Sequence, residues 1–310
     1  MKGVRVISLL IQRLIVISIG GLLVGCGALD GDDRPACTGP LEPGLHQCGL
    51  IVGEYNRYYQ MRVPKTYTGD AMPLVLDLHG FGSPVAFGLS GERLVSGMDK
   101  VAQDEGVIVV WPQGIENAWN SVSSDQLEPG DIDDVGFLLA LVEEIQLAVN
   151  IDSSRVYVMG ISNGGAMAQV VACEASSIFA AVSSVAFQLP MAAEDCVLDM
   201  PIPMISFHAP TDILVRFDGN HDGLPNAGLS APASYDAWSD LNGCVDDSAI
   251  YLEKGKSFCE MRTECAGGVN VGFCTIDGEG QFLGGHLTYI NNDNVKLSGQ
   301  IWDLFSRYQR

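Results

Sequence analysis

The chain has 310 residues, 47% of them hydrophobic and 18% charged, with 36 Gly and 14 Pro. This composition excludes a disordered, collagen-like or multi-span membrane protein and fits one globular domain of roughly 250 residues behind a processed leader. Lys and Arg number 17 against 38 Asp and Glu, a net charge of -21, so the surface repels phosphates and no nucleic-acid partner is expected.

The N-terminal stretch carries Lys2, Arg5 and Arg13 and then an apolar run at 14–24 (LIVISIGGLLV). That run is too short for the ~20 residues a membrane-spanning helix needs, so residues 1–25 read as a signal peptide. Its end, Leu23-Val24-Gly25-Cys26, resembles the lipobox of bacterial lipoproteins. The resemblance implies lipidation of Cys26 and export to a periplasm-facing or cell-surface position, the outer membrane included, with the membrane met only through this anchor. Residues 26–45 then read as a tether and 46–310 as the folded domain.

Setting Cys26 aside leaves eight cysteines, an even set for an oxidising compartment: Cys37, Cys48, Cys173, Cys196, Cys244, Cys259, Cys265 and Cys274. None has the spacing of a metal site. Sequence neighbours suggest Cys37 with Cys48 and Cys173 with Cys196, and leave the last four to pair among themselves.

Beyond residue 43, apolar strand-like runs alternate with helical patterns, which predicts a mostly parallel central sheet with helices on both faces, an α/β fold. Strands are expected at 55–63, 74–78, 107–111, 155–159, 180–185 and 204–207. Most are short and apolar throughout, as strands buried on both faces are. Helices are expected at 134–149, 163–172 and 302–308, the first with Asp131, Asp133 and Asp134 at its N-terminus, where acids suit the helix dipole.

Gly160-Ile161-Ser162-Asn163-Gly164 lies between a predicted strand and a predicted helix. In that context Gly-x-Ser-x-Gly reads as a nucleophile elbow. The turn is too tight for flanking side chains, Ser162 is the nucleophile, and the Asn163 backbone N–H faces the developing oxyanion. A second donor should come from the loop after an earlier strand, where His79-Gly80-Phe81-Gly82 offers the Phe81 N–H and His79 reads as a loop-holding residue. For the chain order Ser, acid, His, the candidates are Asp212, just past the strand at 204–207, and His286 ahead of the last helix, with His221 as its competitor; His208 reads as a loop-shaping residue. The segment from Asp218 to Gly223, which contains His221, opens like a calcium loop, but position twelve is Leu229 and not Glu, so an acidic turn is expected there. No metal and no cofactor are expected.

These motifs, together with Tyr58 to Pro64, Trp111-Pro112-Gln113-Gly114, Trp119-Asn120 and Asp133 to Phe137, resemble the secreted esterases that group feruloyl and acetylxylan esterases with polyhydroxybutyrate depolymerases. The resemblance covers about residues 49–308 and implies the α/β-hydrolase fold. It also implies Ser162, Asp212 and His286 as catalytic triad and a bridge between Cys173 and Cys196. Trp119 then reads either as an aromatic wall for a feruloyl ring or polyester segment or as a core residue. The chain departs from the family around its base, where Leu287 and Tyr289 stand in the usual Trp and Pro context and the preceding loop is longer. The expectation is a serine esterase acting on feruloyl or acetyl esters of plant polysaccharide, with no obligate protein partner. A polyester depolymerase or a peptidase of the same fold is the alternative within hydrolases, and a non-catalytic surface-binding lipoprotein is the alternative outside them.

Overall fold

The computed structural model describes residues 35–82, 88–121, 132–219, 229–287 and 294–310. Cys26, the leader, Asp131, His221 and Tyr289 lie outside the described residues, as does the part of the acidic turn from residue 220 on.

Ten strands form one sheet: β1 (Gly44–Val52), β2 (Tyr55–Val63), β3 (Met72–Leu78), β4 (Ile108–Pro112), β5 (Ile151–Ile161), β6 (Ala181–Val185), β7 (Met204–His208), β8 (Ala249–Lys254), β9 (Ser257–Arg262) and β10 (Val271–Thr275). Their order is β1-β2-β4-β3-β5-β6-β7-β10-β9-β8. From β4 to β10 every neighbour pairs in parallel. At either edge the pairing turns antiparallel, through β2 with β1 and through β9 with β8. The parallel centre was expected; the β1 strand and the β8, β9, β10 edge were not. Strand β8 (AIYLEK) is mostly exposed and lacks the apolar run that marks a buried strand. A covalent tie reinforces the backbone ladder inside this edge: Cys259 and Cys274 are register partners on β9 and β10 and are disulfide-bonded.

Six helices are described: α1 (Gly88–Val95), α2 (Met98–Glu105), α3 (Asp134–Ala148), α4 (Asn163–Glu174), α5 (Ala231–Leu241) and α6 (Leu297–Phe305). They cover both faces. Phe137, Leu141, Met167 and Trp238 from α3, α4 and α5 pack on one side with Leu74, Leu76 and Val158 of the sheet. Met98, Ala102, Ile301 and Phe305 from α2 and α6 pack on the other with Val75, Trp111 and Tyr157. Alternate residues of β3 thus serve opposite cores, the two-residue repeat of a strand buried on both faces.

Three further disulfides join Cys37 to Cys48, Cys173 to Cys196 and Cys244 to Cys265. The first carries the fold back past residue 46, since β1 begins at Gly44 and Cys37 is tied to it. At α3 the acids divide their work. Asp133 caps the helix by accepting from the Gly136 N–H at 2.6 Å, whereas Asp134 is buried and pairs with Arg57 at 2.6 Å.

Candidate active site

The loops that matter leave the C-terminal ends of the parallel strands, where ligands of open α/β sheets bind. Segment 79–82 follows β3, Gln113 and Gly114 follow β4, Ser162 follows β5, Asp212 lies past β7, and His286 lies past β10.

Ser162 sits between β5 and α4 at φ 55°, ψ -123°, a conformation costly for a residue with a side chain and typical of functional turns. Two glycines make the turn geometrically feasible. A Cβ on Gly160 would lie 2.4 Å from the Gly164 carbonyl oxygen, and one on Gly164 would lie 2.3 Å from the Leu78 oxygen and 2.4 Å from that of His79. The Ser162 N–H donates to the Val185 carbonyl at 2.8 Å, which locks the turn onto β6. Helix α4 starts at the next residue, so the Asn163 N–H is one of the helix-end donors without an intrahelical acceptor.

Asp212 is buried, at 4% exposure. Its Oδ1 accepts from the Leu214 and Val215 N–H groups at 2.8 and 2.9 Å, and its Oδ2 meets His286 Nδ1 at 2.7 Å. Burial works to raise the Asp212 pKa, but hydrogen bonds from His208 and His286 and their charge outweigh it and hold the carboxyl down at about 2. An ionised carboxylate only accepts, so His286 carries its proton on Nδ1 and leaves Nε2 free to take one. His208 Nε2 donates to the Val215 carbonyl at 2.8 Å and lies 3.5 Å from Asp212 Oδ2, holding the acid loop as its position suggested. The longer segment before the base docks on the same loop. Thr211 Oγ1 donates to the Gly284 carbonyl at 2.8 Å, and a Cβ on Gly284, at φ 65°, would fall 1.8 Å from the Thr211 oxygen. Among the described residues no hydrogen bond joins Ser162 to His286; such contacts are often long without substrate and tighten when it binds.

The 79–82 loop lies against the elbow, since a Cβ on Gly80 would stand 3.4 Å from that of Ser162. His79 is buried, and its Nε2 accepts from the Gly114 N–H at 2.9 Å, which fixes the proton on Nδ1, donating to the Gly80 carbonyl at 2.8 Å. Burial, with Arg57 nearby, drives the His79 pKa down to about 4, although the Gly80 bond opposes the shift, so the ring is neutral at ordinary pH. Because the Gly80 carbonyl and the Phe81 N–H share one peptide unit, the bond to His79 orients that N–H as well.

Trp119 is not a substrate wall. It is fully buried, stacked on Phe137 with centroids 6.4 Å apart, and its indole N–H is given to the His79 carbonyl at 2.9 Å. Sequence patterning also passes over Arg57 and Ser121, which bond Asp134 and the Asn163 carboxamide and hold this region together. Arg57 falls in the same two-residue phase of β2 as Tyr59, Met61 and Val63, and an Arg on that face with an acid at a distant helix start is the signal that points to the Arg57–Asp134 pair.

A model of the prolyl oligopeptidase family matches residues 96–208, a span that includes Ser162 and stops short of Asp212 and His286. The sequence is similar to feruloyl esterases: feruloyl esterase B of Piromyces equi is 30% identical over 236 residues, 72% of this chain and 42% of that protein. The chain spans less than half the length of that protein and of the putative esterase NocK of Nocardia uniformis subsp. tsuyamanensis, to which it is 36% identical over 167 residues. Among solved structures, a thermostable esterase superposes with TM-score 0.55 at 20% identity, covering 86% of this chain and 63% of that one. The acetyl xylan esterase from Aspergillus awamori superposes with TM-score 0.53 at 16% identity, covering 85% and 99%. The chain has the α/β-hydrolase fold.

Proposed function

We propose that the chain is an exported serine esterase that hydrolyses carboxylic esters in two steps through Ser162, His286 and Asp212. The observation that carries this reading is the buried 2.7 Å bond from His286 Nδ1 to Asp212 Oδ2, at the same end of the sheet as a serine held in an elbow at φ 55°. In the proposed reaction Ser162 Oγ attacks the ester carbonyl while His286 Nε2 takes its proton. Asp212 stabilises the resulting imidazolium without itself being protonated. The backbone N–H groups of Asn163 and Phe81 hold the oxyanion, each contributing about 3 kcal/mol in comparable sites. His286 then returns the proton to the leaving alcohol, and water repeats the attack on the acyl-enzyme.

Feruloyl or acetyl esters on plant polysaccharide are the proposed substrates, in keeping with the names of the relatives. A hydrophobic polyester is the second reading, favoured by apolar side chains exposed beside each site segment: Phe81, Ile213 next to Asp212, and Phe282 four residues before His286. Export is supported by the four disulfides, which persist in oxidising compartments. A leader at 1–25, anchorage through Cys26 and a short tether ahead of Cys37 rest on the sequence and belong to this proposal, with the folded domain reaching back to Cys37 through its bond to β1.

The test is labelling by a fluorophosphonate, with the modified residue mapped by mass spectrometry. It is followed by turnover of methyl ferulate, acetylated xylan, a hydroxybutyrate oligomer and a proline-containing peptide. Labelling at Ser162 with turnover of an ester is the expected result. No labelling and no turnover would leave a binding protein instead, and cleavage of the peptide alone would make it a peptidase.

A further inference from the structure

The two N–H groups assigned to the oxyanion belong to segments 82 residues apart in sequence, Phe81 after β3 and Asn163 after β5. One buried residue touches both segments. The Trp119 indole N–H donates to the His79 carbonyl at 2.9 Å, and the Trp119 backbone forms a two-way pair with the Asn163 carboxamide: its N–H donates to Oδ1 at 2.7 Å, and its carbonyl accepts from Nδ2 at 3.0 Å. Nδ2 gives a further bond to Ser121 Oγ at 2.8 Å, so both donor hydrogens of this buried amide are used. The bracket is braced from outside. The next residue, Asn120, donates its N–H to Asp134 Oδ2 at 2.7 Å, and Asp134 is paired with Arg57, both side chains almost wholly buried.

We propose that the side chains of Trp119 and Asn163 form a bracket that sets the mutual position of the Phe81 and Asn163 N–H groups, making both positioning residues for ester hydrolysis. The inference rests on the serine-esterase reading. The physical reason is that oxyanion donors act only at a defined distance from an oxygen that moves as the carbonyl becomes tetrahedral. Two donors on separate loops keep that distance only if the loops are fixed to each other. A core Trp needs only an apolar pocket, whereas here every polar atom of Trp119 is spent on one or other segment.

The experiment compares Trp119→Phe and Asn163→Ala with the parent chain. Trp119→Phe keeps an aromatic ring on Phe137 and deletes the N–H; Asn163→Ala keeps the backbone donor and deletes the pair. The readouts are kcat, KM, the melting temperature, and the affinity of an aryl trifluoromethyl ketone, whose adduct with a serine carries the oxyanion. Each variant is expected to lose about 10- to 100-fold in kcat with KM within about twofold. Ketone affinity should fall by the same factor, and the double variant should fall little below the poorer single one, because both break one bracket. A folded Trp119→Phe variant with unchanged kcat would overturn the bracket, as would lost turnover with ketone affinity intact. If Trp119→Phe fails to fold, Asn163→Ala with the indole in place gives the same readouts and decides the matter. A parent chain that neither binds the ketone nor is labelled at Ser162 would instead overturn the esterase reading.

Discussion

Replacing Ser162 with alanine is expected to lower kcat by about 10⁵- to 10⁶-fold, the loss seen when the nucleophile of such a triad is removed, while leaving the fold intact. The change deletes one hydroxyl. It keeps the backbone bonds that hold the turn, from the Ser162 N–H to Val185 and from the Ala166 N–H to the Ser162 carbonyl at 2.9 Å. The strained φ of 55° is carried equally by either residue, so the melting temperature should move by no more than roughly 2 °C. KM should change little, because the hydroxyl contributes to the transition state more than to ground-state binding. Turnover should therefore vanish against an unaltered unfolding curve, measured on the same ester that the parent chain cleaves best. A variant that keeps full activity removes Ser162 from the chemistry, and with it the roles of Asp212 and His286.

The second large effect is on stability. The melting temperature is expected to fall as the pH rises from about 5 to 8. Asp77 of β3 is fully buried, with its Oδ2 accepting from the Trp111 indole at 2.7 Å, and Glu92 of α1 is buried beside it. Burial pushes the Asp77 carboxyl up to about 7 despite the opposing bonds from Trp111 and Ser96. Burial, and then the charge of Asp77, raises Glu92 well above the carboxylate range. Both groups therefore hold protons in the folded chain at a pH where the unfolded chain has released them. The stability they allow is complete below pH about 4 and is lost as the pH climbs through about 7, where ionising the pair puts charge into the core.

Asp77 alone accounts for at most about 4 kcal/mol over the full rise from pH about 4 to 7, of which roughly 3 falls between pH about 5 and 8, a drop of roughly 5–10 °C in melting temperature for a chain of this size. Asp77→Asn should flatten the slope and melt above the parent at pH 8. Equal slopes in the parent and the variant would show that Asp77 does not hold the proton. Asp212 acts with the opposite sign. Its pKa of about 2 lies below the unfolded value, so its contribution is present above pH about 4 and fades as the pH falls through 2, which places the most stable range between the two effects.

Much of the site is legible in the chain. Gly160 precedes Ser162 because its Cβ would strike the Gly164 oxygen within the turn itself, whereas Gly164 answers to the Leu78 and His79 oxygens at the end of the neighbouring strand; the Gly-x-Ser-x-Gly spacing shows both positions in the local sequence, but the second demand comes from the fold. Asp212 is recognisable because it follows a short apolar strand in the order expected for this fold. His286 is legible only by position and elimination, and what brings it to Asp212 is a loop whose seating on Thr211 has no local signature. Trp119 shows the limit of local reading: an aromatic beside an asparagine suits a pocket wall or a core equally well. Its full burial on Phe137 and the direction of its indole, toward His79, decide for the core.

The sequence by itself therefore determined the parallel centre of the sheet, the elbow, the order of the acid and base candidates and an even set of eight cysteines. Each of these depends on periodicity, on the compact Gly-x-Ser-x-Gly spacing, on the chain order of the fold, or on counting. The tertiary structure alone decided how Cys244, Cys259, Cys265 and Cys274 pair, the antiparallel edges β1 and β8, the Arg57–Asp134 and Asp77–Glu92 pairs, and the bracket at Trp119. These depend on contacts between residues far apart in the chain, and no pattern within one segment encodes which distant partner will lie opposite it once both cores have closed.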